Sequence, residues 1–476
     1  MPPFDALLTW FVFAAAVVFI IWRPMGLNEA IPAAAGALIL IVYGVVPPGE
    51  LLDIFDVVGG AALTILSTIA MSIVMDNIGI FKWVAHNLVK LSRGSGALLY
   101  WYVVLMCFLM TLFFNNDGSI LITTPIIIRM VTLLQFKPHQ KLPYLFAGAL
   151  VATASSAPIG VSNLANLIAM RIVGLDLSSY AQYMFVPSLV GIASIALLLF
   201  ALFRRDIPRT IPAPSYAIYA GPSSPLRTGF QSARSGGARG DGHLPLHPLK
   251  YDTQQAETYD IRLFRVTIGI VILTRAGFFL GSSLGIPIEW IGITGAAALV
   301  AIRWLWLKQS PKDLLTQTPW HILVFAFGIY VIVHAFHQVG VLDAAVDFLS
   351  RQIGDSHFAA IFWMGGWLTL LSVIMNNLPA VMVGTLSLTN MDLDQTVMQV
   401  AYMANILGSD IGSLLVPVGT LASLLWMFIL RANRTPITWG KYIKVTFVVI
   451  PIGLLVSLIT LYCWTGLFFW KGGYQS

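Results

Sequence analysis

Two tandem asparagine pairs hold the most unusual chemistry of this chain: Asn115-Asn116-Asp117-Gly118 and Asn376-Asn377-Leu378-Pro379. Each stands between strongly apolar arms, of about 17 residues on either side of the first pair. Two more polar clusters interrupt long apolar segments. One runs from Ser155-Ser156-Ala157-Pro158 through Gly160-Val161-Ser162-Asn163, and the other from Gly408-Ser409-Asp410 through Pro417-Val418-Gly419-Thr420 and on to Ser423. Amides and carboxyls are expensive to strip of water without a role, and within membrane spans they mark a pathway by default. Asn115, Asn116, Asp117, Asn376, Asn377 and Asp410 are therefore read as functional. A lone Ser or Gly in such a segment more often serves close helix packing.

The elements that must position these groups follow from composition. The chain has 476 residues, 58% of them hydrophobic and 10% charged, against about 25% charged in an average soluble domain. It is expected to be an all-α polytopic membrane protein. Its formal charge of +6 reads as topology rather than nucleic-acid binding, because membrane proteins gather Lys and Arg in cytoplasmic loops. The first apolar run, from Leu7, reads as a membrane helix and not a cleaved signal peptide, since it has neither a basic leader nor a small-residue cleavage site. Cys107 and Cys463 are far apart in apolar runs and support neither a disulfide framework nor a metal site. No ATPase motif is present; the glycine-rich stretch 235 to 242 lacks the Lys-Ser/Thr terminus of a phosphate loop.

The halves repeat. Gly26-Leu27 and Gly36 match Gly285-Ile286 and Gly295 at an offset of 259 residues, Asn115-Asn116 matches Asn376-Asn377 at 261, and Ser162 to Leu167 matches Gly419 to Leu424 at 257. Residues 1–203 and 262–476 form the two repeats, and 204–261, rich in Pro, Gly, Ser and Arg, reads as a flexible linker. Turn chemistry at each Asn pair predicts re-entrant hairpins over 98–134 and 357–390. The Pro and Gly residues in 143–174 and 397–430 predict broken helices, tolerated in a membrane only where they are buried in protein or line a cavity. With five further crossings per half, 22 of the 27 Lys and Arg fall on one side, 3 on the other and 2 within apolar arms. An odd number of crossings inverts the second repeat, leaving the linker in the cytoplasm and both termini outside.

Other polar residues are expected to be structural. His334 and His337 suit interhelical hydrogen bonds, Asp76 and Lys82 near a helix end suit snorkelling to the interface, and Arg129 and Arg275 suit either a backbone carbonyl partner or the pathway.

Phe114 to Gly118 with Thr124-Pro125, Val161 to Asn166, Met375 to Pro379 with Val383-Gly384, and Ala404 to Gly412 with Pro417 to Trp426 resemble the ArsB-type arsenite and antimonite efflux permeases. The opening Ile21-Trp22-Arg23-Pro24 is similar too. The likeness covers essentially the whole chain except the linker. It implies the ion transporter superfamily fold of two inverted repeats, each with a hairpin and a broken helix, in a prokaryotic plasma membrane. Two departures stand out: Thr153-Ala154-Ser155-Ser156 where the family commonly has Asp-Thr-Ala-Ser, and Gly412-Ser413-Leu414 where it commonly has Gly-Pro-Lys.

The resemblance implies arsenite or antimonite as the neutral trihydroxide, held by amides, hydroxyls and backbone dipoles: Asn115, Asn116, Ser162, Asn163, Asn376, Asn377, Thr420 and Ser423. A neutral solute gives the membrane potential nothing to act on, so export needs a coupled charge. Protons carried by Asp117 and Asp410 are the expectation, with the proton gradient and no cofactor or metal as the energy source. Two alternatives stay open: a sodium/proton antiporter of the same superfamily, and a channel subunit driven by a cytosolic arsenite-stimulated ATPase. No nucleic-acid partner and no enzymatic activity are expected.

Overall fold

The computed structural model describes residues 3–24, 27–211 and 260–469. Residues 212–259, most of the expected linker, lie outside these. In the first half the helices are α1 (Pro3–Trp22), α2 (Ala30–Val42), α3 (Glu50–Ile78), α4 (Ile80–Leu91), α5 (Gly96–Phe113), α6 (Asn116–Leu133), α7 (Pro138–Ala154), α8 (Leu164–Val173) and α9 (Leu177–Leu202). The second half has α10 (Ile261–Ser283), α11 (Ile288–Leu307), a short α12 (Lys312–Gln317), α13 (His321–Gln338), α14 (Asp343–Ile353), α15 (His357–Met375), α16 (Asn377–Thr389), α17 (Gln395–Asp410), α18 (Leu421–Ala432) and α19 (Trp439–Phe469). Apart from α12 the halves correspond helix for helix.

Among the described residues nine helices, taking α12 and α13 as one run, are long and apolar enough to cross a membrane. The arms α8 and α18 are not: 10 and 12 residues at about 1.5 Å each reach about halfway through a hydrocarbon core of about 30 Å. Each therefore begins near mid-depth, where its free N–H groups need partners. The sequence supplies them. Asn163 Oδ1 accepts from Ala165 N at 3.0 Å and opens α8, and Thr420 Oγ1 accepts from Ser423 N at 2.9 Å and opens α18.

The two halves are related by a pseudo-two-fold axis. Helix α3 packs on α11 while its counterpart α13 packs on α2, and α8 packs on α16 while α18 packs on α6; such reciprocal contacts are what a two-fold produces. The repeats are also inverted. Glu50 at the start of α3 bonds His334 and Gln338 at the end of α13, and Trp464 late in α19 donates to the Gln182 carbonyl early in α9 at 2.9 Å, so equivalent helices run antiparallel. One end of the molecule, the basic face, carries Arg23, Lys90, Arg93, Arg303, Lys312 and Arg431. The opposite, acidic face carries Glu50, Asp53, Asp343 and Asp355. His334 makes the interhelical bond expected of it, and His337 Nδ1 lies 2.8 Å from Asn390 Nδ2.

Candidate functional site

The first hairpin turns at Asn115, whose extended backbone separates α5 from α6. Its Oδ1 accepts from Gly118 N at 2.9 Å and Asn116 Oδ1 accepts from Asp117 N at 2.8 Å, so both amides serve the helix start. A Cβ on Gly118 would stand 2.4 Å from Asn115 Oδ1, which is why glycine is needed there. The open carbonyl end of α5 meets buried Arg275 of α10, which donates to the Phe113 carbonyl at 2.6 Å and to that of Phe114. A guanidinium is well matched to unpaired carbonyls at a helix C-terminus. Arg275 thus takes the backbone role, while Arg129 is exposed.

The second hairpin turns at Asn376, whose φ of 77° and ψ of 157° belong to a region used almost only by glycine. Its Nδ2 donates to the Val418 carbonyl at 3.0 Å, fastening this tip to the break of its own repeat. That break is built of two short 3-10 turns, Gly412–Leu415 and Pro417–Gly419. Tyr442 donates to the Leu414 carbonyl at 3.1 Å and Thr446 to that of Leu415 at 2.8 Å, so the freed backbone oxygens find partners. In the first repeat Tyr180 donates to the Ala157 carbonyl at 2.7 Å in the same way.

Asp410, at the end of α17 and 1% exposed, joins the repeats. Its Oδ2 accepts from Ser156 Oγ at 2.9 Å and from Asn166 Nδ2 at 2.7 Å, and its Oδ1 from Asn163 Nδ2 at 2.8 Å. Three donors on one carboxylate, two from the first repeat's break and one from the first turn of α8, stabilise a buried charge by hydrogen bonds. Several neighbouring atoms remain buried without a partner, among them Asn166 Oδ1, Ser162 Oγ, Asn376 Oδ1 and Asn115 Nδ2.

Above this layer lies a cavity of about 1230 Å³, lined by Asn116, Asp117, Asn163, Asn377 and Thr420 at its polar end and by Arg23, Glu29, His321 and Arg431 toward the basic face. Five of the ten sequence-predicted site residues therefore share its wall, drawn from both hairpins and both breaks. Asn115, Ser162, Asn376, Ser423 and Asp410 do not line it. Asn115 and Asn376 shape the tips, Ser423 Oγ accepts from Thr420 Oγ1 at 2.9 Å and lies 3.2 Å from Tyr442 OH, and Asp410 sits behind Asn163.

Three cavity-lining groups, Ser72, Asp76 and Glu29, were not among the expected site residues. Asp76 faces the cavity rather than the interface; its position inside the apolar run 58–79 was the available signal. Glu29 is paired with Arg23 at 2.8 Å and lies 3.5 Å from His321. Burial alone would raise its carboxyl, but the His321 hydrogen bond and the Arg23 charge outweigh this and hold it below the usual carboxylate range. Among the described residues no three His, Cys, Asp or Glu side chains gather where they could hold a metal ion.

A citrate-transporter family model (CitMHS) matches residues 17–408. A Bacillus subtilis protein named as a candidate arsenical pump membrane protein is 42% identical over 95% of this chain and 98% of its own length. An Escherichia coli arsenical pump membrane protein is 30% identical over 96% of this chain and 98% of its own. Among solved structures, the YdaH transporter of Alcanivorax borkumensis, described as having an unusual topology, superposes with a TM-score of 0.52 at 14% identity, covering 88% of each chain. That likeness concerns the fold. Because the sequence matches run the length of the relatives and take in both hairpin tips and both breaks, this multi-pass membrane protein belongs to the citrate-transporter family as an ArsB-type permease.

Proposed function

We propose that this chain exports arsenite and antimonite from the cytoplasm in exchange for protons, with its basic face and the linker in the cytoplasm of a prokaryotic plasma membrane and both termini outside. The observation that carries the reading is the make-up of the cavity's polar end. Amides from Asn116, Asn163 and Asn377 and the hydroxyl of Thr420 offer donors and acceptors to a neutral trihydroxide from both repeats at once. The carboxylates at that end are Asp117 and Asp76, and the cations stand at the mouth. A citrate-like anion would be repelled there, since a buried carboxylate next to an anion is strongly unfavourable.

Coupling runs through Asp410 and Asn163. Protonation of Asp410 replaces a carboxylate accepting three bonds with a neutral acid, and so loosens the contact between α17 and the first repeat's break. Asn163 passes the change on, because one amide both bonds Asp410 and lines the cavity. Asp117 is the second proton group, reachable from the cytoplasmic mouth. The hairpin and broken-helix units then move against the remaining helices, as in inverted-repeat carriers generally.

Arsenite uptake into inverted vesicles under an imposed pH gradient tests this. Uptake should follow the gradient in the absence of ATP and of sodium. A strict need for sodium would favour the sodium/proton antiporter, and a strict need for ATP the pump subunit working with a cytosolic ATPase.

A further inference from the structure

On the acidic face, Arg171 in the last turn of α8 pairs with Glu289 in the first turn of α11 at 2.6 Å, and its Nη1 donates to the Asp56 carbonyl of α3 at 2.9 Å. This joins a broken-helix arm to two helices outside the hairpin and break units. The fit is close: a Cβ on Gly60 would stand 2.3 Å from the guanidinium.

Arginine and glutamate stand at similar, though not identical, places in the other repeat. Arg431 is in the last turn of α18, three residues past the position that the 257-residue offset pairs with Arg171; Glu29 adjoins the first residue of α2, one residue before the position that the 259-residue offset pairs with Glu289; and Thr316 of α12 is one residue before the position that a 261-residue offset pairs with Asp56. The two glutamates are similarly buried, at 16% and 13% side-chain exposure. The second set is open. Arg431, Glu29 and Thr316 all line the cavity, Arg431 is exposed with no ion pair among the described residues, and Glu29 is engaged by Arg23 and His321. Inverted repeats that exchange conformations exchange their contacts as well.

We infer that Arg171–Glu289 and Arg431–Glu29 are the two alternating halves of one ion-pair latch, the first closing the acidic face while the cavity opens to the basic face, the second forming when that mouth closes. The inference rests on the alternating-access reading above, though not on the identity of the substrate. Either pair can open at little expense, because each arginine at a helix C-terminus and each glutamate at a helix N-terminus keeps a favourable helix dipole when unpaired.

The test measures the conformational balance directly. In a Cys463→Ser background, Leu121→Cys on the cavity wall reports, by its rate of labelling with a membrane-impermeant maleimide in inverted vesicles, how often the basic face is open. Arg171→Gln should slow labelling about fivefold, the scale of one partly exposed ion pair, and Glu289→Gln should do the same should the arginine variant fold poorly. Arg431→Gln should not slow it, and the Arg171→Gln/Arg431→Gln double variant should return toward the parent rate. Slowing by both single arginine variants, or a double variant slower than Arg171→Gln alone, would overturn the latch. Labelling that follows the pattern in a protein that moves no arsenite would leave the latch standing and remove the substrate assignment.

Discussion

Asp410→Asn separates the coupling role from a structural one. The carboxylate accepts three hydrogen bonds, two on Oδ2 and one on Oδ1. Asparagine has nearly the same shape but only one oxygen. Placed where Oδ2 stands, that oxygen keeps the bonds from Ser156 and Asn166, and the new NH2 then faces the donating NH2 of Asn163. One charge-assisted bond is lost outright and two are reduced to neutral strength. At about 1.5–3 kcal/mol for a bond to a charged group against about 1 for a neutral one, the contact between the repeats weakens by about 2.5–7 kcal/mol. Since about 1.4 kcal/mol is a factor of ten, the balance between joined and separated repeats should shift at least about sixtyfold. The variant also removes the expense of burying a charge, so the protein should still fold and insert. The assay is arsenite uptake in inverted vesicles across external pH: the parent should respond steeply, and Asp410→Asn should be slow and nearly flat. A variant with full, parent-like pH dependence would refute the coupling route.

Three further outcomes follow from the same geometry. Gly419→Ala places a Cβ 1.9 Å from the Ser413 carbonyl; because backbone must move to relieve it, thermal unfolding of the purified protein should show a loss of about 3 kcal/mol or more. Arg275→Gln leaves the carbonyls of Phe113 and Phe114 short of donors at the first tip, and should reduce thermal stability by about 1–3 kcal/mol. The Glu29 carboxyl is held low, so its contribution is full above the ordinary carboxylate pKa and fades as pH falls through the lowered one. The difference in melting temperature between parent and Glu29→Gln should therefore still be present at about pH 5 and shrink below about pH 4.

Much of this molecule is legible in one dimension. The inverted duplication shows in the spacing of Asn115-Asn116 and Asn376-Asn377 and in the one-sided Lys and Arg, because hydrocarbon forbids charge and unpaired backbone, so the few exceptions must recur wherever the fold recurs. The tips and breaks are marked by Asn, Gly and Pro for the same local reason. The hairpin of α5 and α6 and the interruption between α7 and α8 need no long-range information to be placed.

Which polar groups meet is a different matter. Asn115 and Asn116 are neighbours in sequence, yet only the second lines the cavity, since Asn115 has extended backbone and turns its amide back to cap α6 while Asn116 is the first residue of the helix. Ser423 sits three residues from Thr420 and spends its hydroxyl on Tyr442, while Asp76, read as an interfacial group, faces the cavity across from the first tip. Asp410 gains its meaning only from Ser156, Asn163 and Asn166, about 250 residues earlier, brought to it by packing between the repeats. Composition and periodicity determined that the chain spans a membrane as two inverted, hairpin-bearing units. Tertiary structure alone decided which carboxylate is buried among donors and which face stands open, because those depend on the relative placement of elements that local propensity leaves free.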